Sequence, residues 1–522
     1  MYKGSPAIWR RFSIQRGRER RLETILVLDL GSQHSQVIAR KVRQCKVYCE
    51  IVTGEQVISE IQRLQPKGLI LSHGHGGGQL DEPEVPVELF ELGIPVLGIG
   101  FGFQLMTSLL GGECGTTSSE VIEEELLLVG ADSLFEKCKL GEQFTARLYR
   151  AAAVTTAAPG FTVLARTRDG GIAAAADAAR RLYGVQFEPD AELLQDFLTR
   201  ICGCSGSWTM GAFAEAAVAD IRRRVGSGRV ICGLSGGVDS SVAAVLVQRA
   251  VGDQLTCIFV DHGLMRKGEP EQVVTTFGER FQMNLVHVDA RQRFLSKLAG
   301  VTDPEQKRKI IGEEFIRVFE EEARKVGDAQ FLVQGTVYPD VIESGTKHAG
   351  VVKSHHNVGG LPEDLRFELV EPLRQLFKDE VRCLAEVLGL PEEIAWRHPF
   401  PGPGLGVRVV GEVTPEKLEI LREADAIALE EIRAAGLYRE IWQAFVILTD
   451  TLTVGVRDGV RTYEYAAAIR AVASEDAMTA QWVRLPYEVL DRISFRILHE
   501  VRGINRVVYD ISAKPPATIE WE

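Results

Sequence analysis

Short apolar runs recur along the chain: TILVLDLG (24–31), KGLIL opening 67–78, IPVLGIG (94–100) and LYGVQFEPD (182–190). Segments with helical spacing separate them, and AELLQDFLTRIC follows the last. Such runs bounded by glycine-bearing loops predict buried parallel strands with loops gathered at the strand ends. The alternation restarts at 228–252, which reads as a strand, a loop and a helix. TCIFVDHGL (256–264) then predicts a strand, FLVQGTVYPDVIES (331–344) a strand and a turn, and FKDEVR (377–382) a helix start. From 416 the style changes: 416–437 has helical periodicity, and AFVIL, TVGVR and RVVYDI predict strands among further helices. CGCSGSW (202–208) is a small-residue linker. RHPFPGPGLGVRV (397–409) has too many prolines and glycines for regular structure and reads as a rigid connector. The expected fold class is α/β: two doubly wound parallel-sheet domains followed by a smaller α+β domain.

Composition narrows the function classes. With 522 residues, several cores are expected rather than one. A formal net charge of -12 argues against bulk phosphate-backbone binding, so no nucleic-acid partner is expected. No apolar run approaches the ~18 residues of a membrane span. Nine cysteines without a C-x-x-C pair read as reduced thiols of a cytoplasmic protein. Residues 1–22 hold Lys3 and six arginines against Glu19 alone. A disordered basic tail is the expectation, and an Arg-rich transit peptide the other reading.

PVLGIGFGFQLM (95–106) has the grammar of a nucleophile elbow: a strand, a sharp glycine turn and a helix. The turn offers Gly100 and Phe101, and neither can attack a carbonyl. By contrast, the loop Ser235-Gly236-Gly237-Val238-Asp239-Ser240, continued by Ser241, lies between a strand and a helix. Its glycines let backbone amides approach an anion, its serines add hydroxyls, and the helix start adds a favourable dipole. The spacing fits neither G-x-x-x-x-G-K-[ST] nor G-x-G-x-x-G. The loop resembles the pyrophosphate loop of N-type ATP pyrophosphatases, which cleave ATP to AMP and pyrophosphate. Asp340 and Glu343 are spaced to share a helical face, suiting Mg²⁺ or a positioned base, with a solvated surface pair as the alternative. Lys378 at a helix start opposes the dipole, which suits a lysine facing phosphate. Lys353 stands beside His355 and His356, whose adjacency on an extended segment argues against a shared metal.

In this order, LSGGVDSS, QGTVYPDVIES, KSHHNVGGLP, EPLRQLFKDEVR, RHPFPGPGLGVRV and KPPATIEWE resemble the GMP synthetases. That resemblance implies a class I glutamine amidotransferase-like domain (23–205), an ATP pyrophosphatase domain (206–398) and a C-terminal dimerisation and XMP-binding domain (399–522). It implies adenylylation of xanthosine monophosphate (XMP) by ATP with Mg²⁺, then displacement of AMP by ammonia. By the same resemblance, Ser235–Ser241 cradle ATP, and Asp239, Asp340, Glu343, Lys353 and Lys378 carry the chemistry, with Asp239 and Asp340 on the metal. Arg308, Gln443, Arg470, Lys514 and Glu520 match XMP-binding positions. Leu452 and GVRDG depart from the family pattern around T/S-V-G-V.

Against the amidotransferase signatures G-x-C-x-G-x-Q and G-V-Q-F-H-P-E, Gly98, Gly102 and Gln104 keep the frame. Gly100 replaces the cysteine, Glu188 the histidine and Asp190 the glutamate. The S-G-G-P loop becomes Ser72-His73-Gly74-His75, and no histidine lies between His75 and His262. A carboxylate (pKa ~4.3) is a poorer base than histidine (~6.5) at neutral pH. Cys45 and Cys114 are not on the elbow, and His73 with His75 could instead form a new site with Glu188. The expectation is an inert glutaminase domain and an ammonia donor that is free or supplied by a separate glutaminase. A homodimer is expected, with Ile519 and Trp521 covered. A non-catalytic homologue and another amidating or thiolating pyrophosphatase-loop enzyme are the alternative functions.

Overall fold

Four consecutive residues, Ile25 to Leu28, are fully buried, because the strand that carries them is covered on both faces. The computed structural model describes residues 14–15, 18–19, 22–31, 34–72, 85–116, 121–149, 152–345, 367–474 and 477–522. Two compact units emerge, Met1–Ala216 and Ala217–Glu522. Inside the basic tail, Ile14–Gln15 pairs antiparallel with Arg18–Glu19, so this stretch is not wholly without structure.

In the first unit, β1 (Thr24–Asp29), β2 (Tyr48–Thr53), β3 (Gly68–Leu71), β4 (Val96–Ile99) and β5 (Leu182–Val185) run parallel in the order β2-β1-β3-β4-β5. Helix α1 (His34–Gln44) follows β1, α2 (Phe101–Leu109) follows β4, and α3 (Ala191–Asp196) follows β5. Beyond β5 the sheet continues antiparallel through Ile172–Asp177, Thr162–Arg166, Val121–Leu128 and Gln143–Tyr149. Apolar runs did not reveal this half: Glu123, Glu124 and Glu125 interrupt Val121–Leu128.

The second unit opens with an all-parallel sheet of β6 (Arg229–Gly233), β7 (Leu255–Asp261), β8 (Asn284–Asp289), β9 (Ala329–Val333) and β10 (Glu368–Val370). Its order is β8-β7-β6-β9-β10, so the chain reverses direction across the sheet between β6 and β9. Open parallel sheets bind ligands beyond the strand ends at such a switch point. Helices α4 (Val238–Val251), α5 (Pro304–Val326), α6 (Tyr338–Gly345) and α7 (Lys378–Val387) belong to this layer. Asp340 and Glu343 therefore stand on a helix, not in the expected turn. The connector is also more ordered than expected, since Gly404–Val407 forms a 3₁₀ turn.

Helix α8 (Pro415–Ala434), β11 (Gln443–Arg457), β12 (Val460–Ala473), α9 (Tyr487–Glu500) and β13 (Ile504–Tyr509) complete the unit. AFVIL and TVGVR are not two strands but one 15-residue strand, β11, whose pairing with β12 shifts register between Leu448 and Leu452. Where α8 packs, Asp425 is buried and bridges Arg266 at 2.8 Å and the Val446 amide at 3.0 Å. Among the described residues, no helix is long and apolar enough to cross a membrane.

Among the described residues of this unit, two histidines are buried. His262 Nδ1 accepts from the Leu264 amide at 3.0 Å, and His398 Nδ1 accepts from Ala444 at 3.1 Å. The His398 ring stacks on Tyr438 with centroids 3.9 Å apart, and Nε2 donates to the Tyr438 carbonyl at 2.8 Å. Burial pushes both imidazoles down to about 4. The unfolded chain therefore binds protons at pH 5–6.5 that the native state refuses. Their contribution is complete above ~6.5 and disappears as pH falls towards about 4, amounting to about 3 kcal/mol each at most. The melting midpoint should drop between pH 6.5 and 5, and His398→Gln should flatten that drop. A wild-type midpoint that is level across this window excludes the linkage.

Candidate active site

The loop between β6 and α4 is built around Gly236, whose φ is +73°. A Cβ there would lie 2.8 Å from Val273 Cγ2, so both conformation and space demand glycine. The Ser235 and Ser240 hydroxyls lie 3.0 Å apart, and Ser240 Oγ donates to the Gly237 carbonyl at 3.1 Å. The Gly237 amide reaches Ser235 Oγ at a long 3.4 Å. This arrangement gathers weakly engaged amides and hydroxyls at a helix N-terminus, suited to an anion. Ser241, next to Ser240 at the start of α4, is fully buried.

Asp239 is ion-paired through Oδ2 with Lys378 Nζ, at the first residue of α7. Its other carboxylate oxygen is buried and, among the described residues, has no hydrogen-bond partner. An orphaned buried carboxylate oxygen beside a phosphate-type loop fits a hard cation such as Mg²⁺. A Cβ on Gly335 would lie 3.2 Å from Asp239 Cβ, so the loop after β9 passes against Asp239 at the switch point. On that side Asp340 accepts from the Val337 amide at 3.0 Å, bracing the start of its own helix. Of Glu343 only the helical backbone is described, and Lys353 lies outside the described residues.

A second constellation surrounds residues 518–522. Arg408 is fully buried, stacks on Phe445 at 4.0 Å, and grips Glu520 with contacts of 2.9 and 3.2 Å. Gln443 Nε2 donates to the same carboxylate at 2.8 Å. Lys307, also fully buried, donates to the Val409 carbonyl at 2.8 Å and pairs with Glu522. Arg308 donates to the Glu522 carbonyl. Arg470 is fully buried and spends its guanidinium on the carbonyls of Ser512, Thr518 and Ile519, and on Asp510 at 3.0 Å. It holds the tail rather than facing solvent. Lys514 points to the Ala477 carbonyl at 2.8 Å. Thus Arg308, Gln443, Arg470 and Glu520 converge through the tail, while the Lys514 ammonium turns elsewhere. Sequence reasoning missed Lys307 and Arg408; the only signal was charge embedded in apolar surroundings. Ile519 packs on the Phe445–Ile447 cluster as expected, but Trp521 remains 42% exposed, donating to Asp510 at 2.8 Å.

In the first unit, Gly100 adopts φ 54°, ψ −112° between β4 and α2, the strained turn of an elbow. Cβ atoms on Gly98 or Gly102 would come within 2.8 Å of Phe103 backbone or 2.4 Å of the Leu71 carbonyl. Gln104 Nε2 donates to Gln186 Oε1 at 3.0 Å, joining the two signature segments. The elbow frame is therefore complete around a residue with no side chain. Glu188 is salt-bridged to Lys41 at 2.6 Å, and Asp190 caps α3 by accepting from Leu193 N at 2.8 Å. Burial raises the thiol pKa values of Cys45 and Cys114, so neither is activated. His73 and His75 lie outside the described residues.

Residues 26–196 match the class-I glutamine amidotransferase family, 214–402 the NAD synthase family and 430–521 the GMP synthase C terminal domain. The "GMP synthase [glutamine-hydrolyzing]" of Symbiobacterium thermophilum is 59% identical over 509 residues, 96% of this chain and 99% of that protein. Those of Carboxydothermus hydrogenoformans and Heliobacterium modesticaldum are 56% and 54% identical, covering 95% and 96% of this chain and 99% of each relative. With its phosphate-type loop, gripped tail and elbow carried on one continuous alignment, the chain belongs to the GMP synthase family.

Proposed function

We propose that this chain is an ATP-dependent ligase that converts XMP to GMP and takes ammonia, not glutamine, as its nitrogen donor. The XMP 2-oxygen attacks the α-phosphorus of ATP and pyrophosphate leaves. Ammonia then adds at C2, AMP departs, and the amine sheds its extra proton. Loop amides with Ser235 and Ser240 cradle the phosphates, and Lys378, held at the rim by Asp239, supplies fixed positive charge. Preorganised charge of this kind is the main lever in phosphoryl chemistry. Asp239 and Asp340 are the residues proposed to hold Mg²⁺, which when bound neutralises phosphate charge. Glu343 and Lys353 complete the proposed set. Arg308, Gln443 and Glu520 would recognise XMP, with Arg470 fixing the tail behind them; Lys514, bonded to the Ala477 carbonyl at 2.8 Å, would have to swing from that contact to join them.

The observation that carries the donor assignment is Gly100 at the elbow, with Glu188 engaged by Lys41 at 2.6 Å. A nucleophile and a base are both missing from a turn whose geometry is otherwise kept. The test is GMP formation from XMP and ATP with ammonium or glutamine as the sole donor. Ammonia comes either free or from a separate glutaminase acting in trans. Nine unpaired cysteines fit a reducing, cytoplasmic setting.

The second unit also supports a homodimer. Leu452, Val454, Val456 and Tyr463 are exposed on one face of the β11–β12 arm, where Val454 pairs with Tyr463. A contiguous apolar ribbon of this kind favours a second copy as cover. Sedimentation at about twice the monomer mass is expected, and a monomer at micromolar concentration rejects the dimer.

A further inference from the structure

We propose that Arg397 is a further phosphate-binding cation of the pyrophosphatase loop, gripping the pyrophosphate end of ATP. This deepens the function proposed above and rests on it. Arg397 opens the connector that follows the β6–β10 layer. Its guanidinium is clamped by Glu269, with Nε to Oε1 at 2.8 Å and Nη2 to Oε2 at 2.7 Å. Phe400 lies beneath it at 4.9 Å from the ring centre. Glu269 is itself positioned, accepting from the Arg266 amide at 3.1 Å.

The third nitrogen is placed differently. Arg397 Nη1 lies 3.7 Å from where a Cβ on Gly236 would sit, at the glycine that shapes the loop. No acceptor for Nη1 occurs among the described residues. A guanidinium clamped along one edge and covered on one face, with its third nitrogen close to a phosphate-type loop, presents a preorganised donor at little entropic cost.

The surrounding charge agrees. Arg382, one turn along α7 from Lys378, stacks on Trp396 at 5.4 Å and reaches the Arg397 carbonyl at 3.5 Å. It has no carboxylate partner among the described residues. Lys378 and Arg397 are each paired with one carboxylate, Asp239 and Glu269, so Arg382 adds a cation beside these pairs. Arg397 grips phosphate oxygens and transfers no proton.

The experiment follows GMP formation with ammonium in the full chain, with inorganic pyrophosphate added as inhibitor. Arg397→Lys and Arg397→Gln should raise both the KM for ATP and the inhibition constant for pyrophosphate by about tenfold or more. The KM for XMP should stay within about twofold, the scatter expected without a lost ionic contact. A merely structural ion pair would lower the melting midpoint without this ATP-side selectivity. Unchanged ATP and pyrophosphate constants in folded variants overturn the assignment. If the Arg397 variants do not fold, Glu269→Gln decides: the arginine stays but loses its clamp, and both constants should rise severalfold. Unchanged constants there equally overturn it. Wild-type pyrophosphate inhibition that does not compete with ATP would instead refute the loop as the nucleotide site.

Discussion

Supplied with XMP, ATP, Mg²⁺ and ammonium, the purified chain should form GMP; supplied with glutamine instead, it should form none above background. Loss of a nucleophile and its base together costs on the order of 10⁶-fold, since the two act as a unit. Gly100→Cys alone should not recover glutamate release. A thiol at φ 54° would sit on a frame still built for it, but Glu188 is held by Lys41 and offers no imidazole. The triple variant with Glu188→His and Asp190→Glu should regain a trace at most. Lys41 would then place an unpaired ammonium beside the new histidine and disfavour its protonation during the reaction. Replacing Asp190 also weakens the α3 cap, since its carboxylate accepts from Leu193 N at 2.8 Å. Glutamine-dependent GMP formation by the unaltered, contaminant-free chain would falsify the assignment. The relatives above carry "glutamine-hydrolyzing" in their names, so this measurement separates the chain from what those names say.

Asp239→Asn and Lys378→Ala should each cut XMP-dependent pyrophosphate release by about 10³-fold or more, the scale of losing a preorganised charge at a transition state. XMP binding should persist in both. The two side chains are each about one-third exposed and pair with one another, so the melting midpoint should move little. Glu520→Ala should do the reverse, weakening XMP binding and leaving the nucleotide loop in place. That substitution strands the fully buried Arg408, so the tail should loosen as well. Pyrophosphate release and XMP affinity, measured separately, distinguish the two sites. Near-normal turnover in either loop variant removes the assignment of Asp239 and Lys378.

Local pattern was enough wherever one short segment held all the information. The buried parallel strands were legible because both of their faces are covered and their residues are therefore uniformly apolar. The SGGVDS loop was legible because positive φ and close packing at Gly236 leave one residue type, and the empty elbow because Gly100 stands in an otherwise intact frame. The antiparallel strands of the first unit were not legible, because one-sided burial admits acids such as Glu123–Glu125. Nor did local pattern reveal that Ser241 is fully buried while Ser240 bonds within the loop, since that depends on how α4 packs against the sheet. What tertiary structure alone decided were contacts between residues far apart in the chain: Lys41 with Glu188, Lys378 with Asp239, Arg408 with Glu520, and Arg397 against Gly236. A charge tells its type from sequence, but its partner is chosen by how the strands and helices pack, because electrostatic and hydrogen-bond energies depend on separations of a few ångströms.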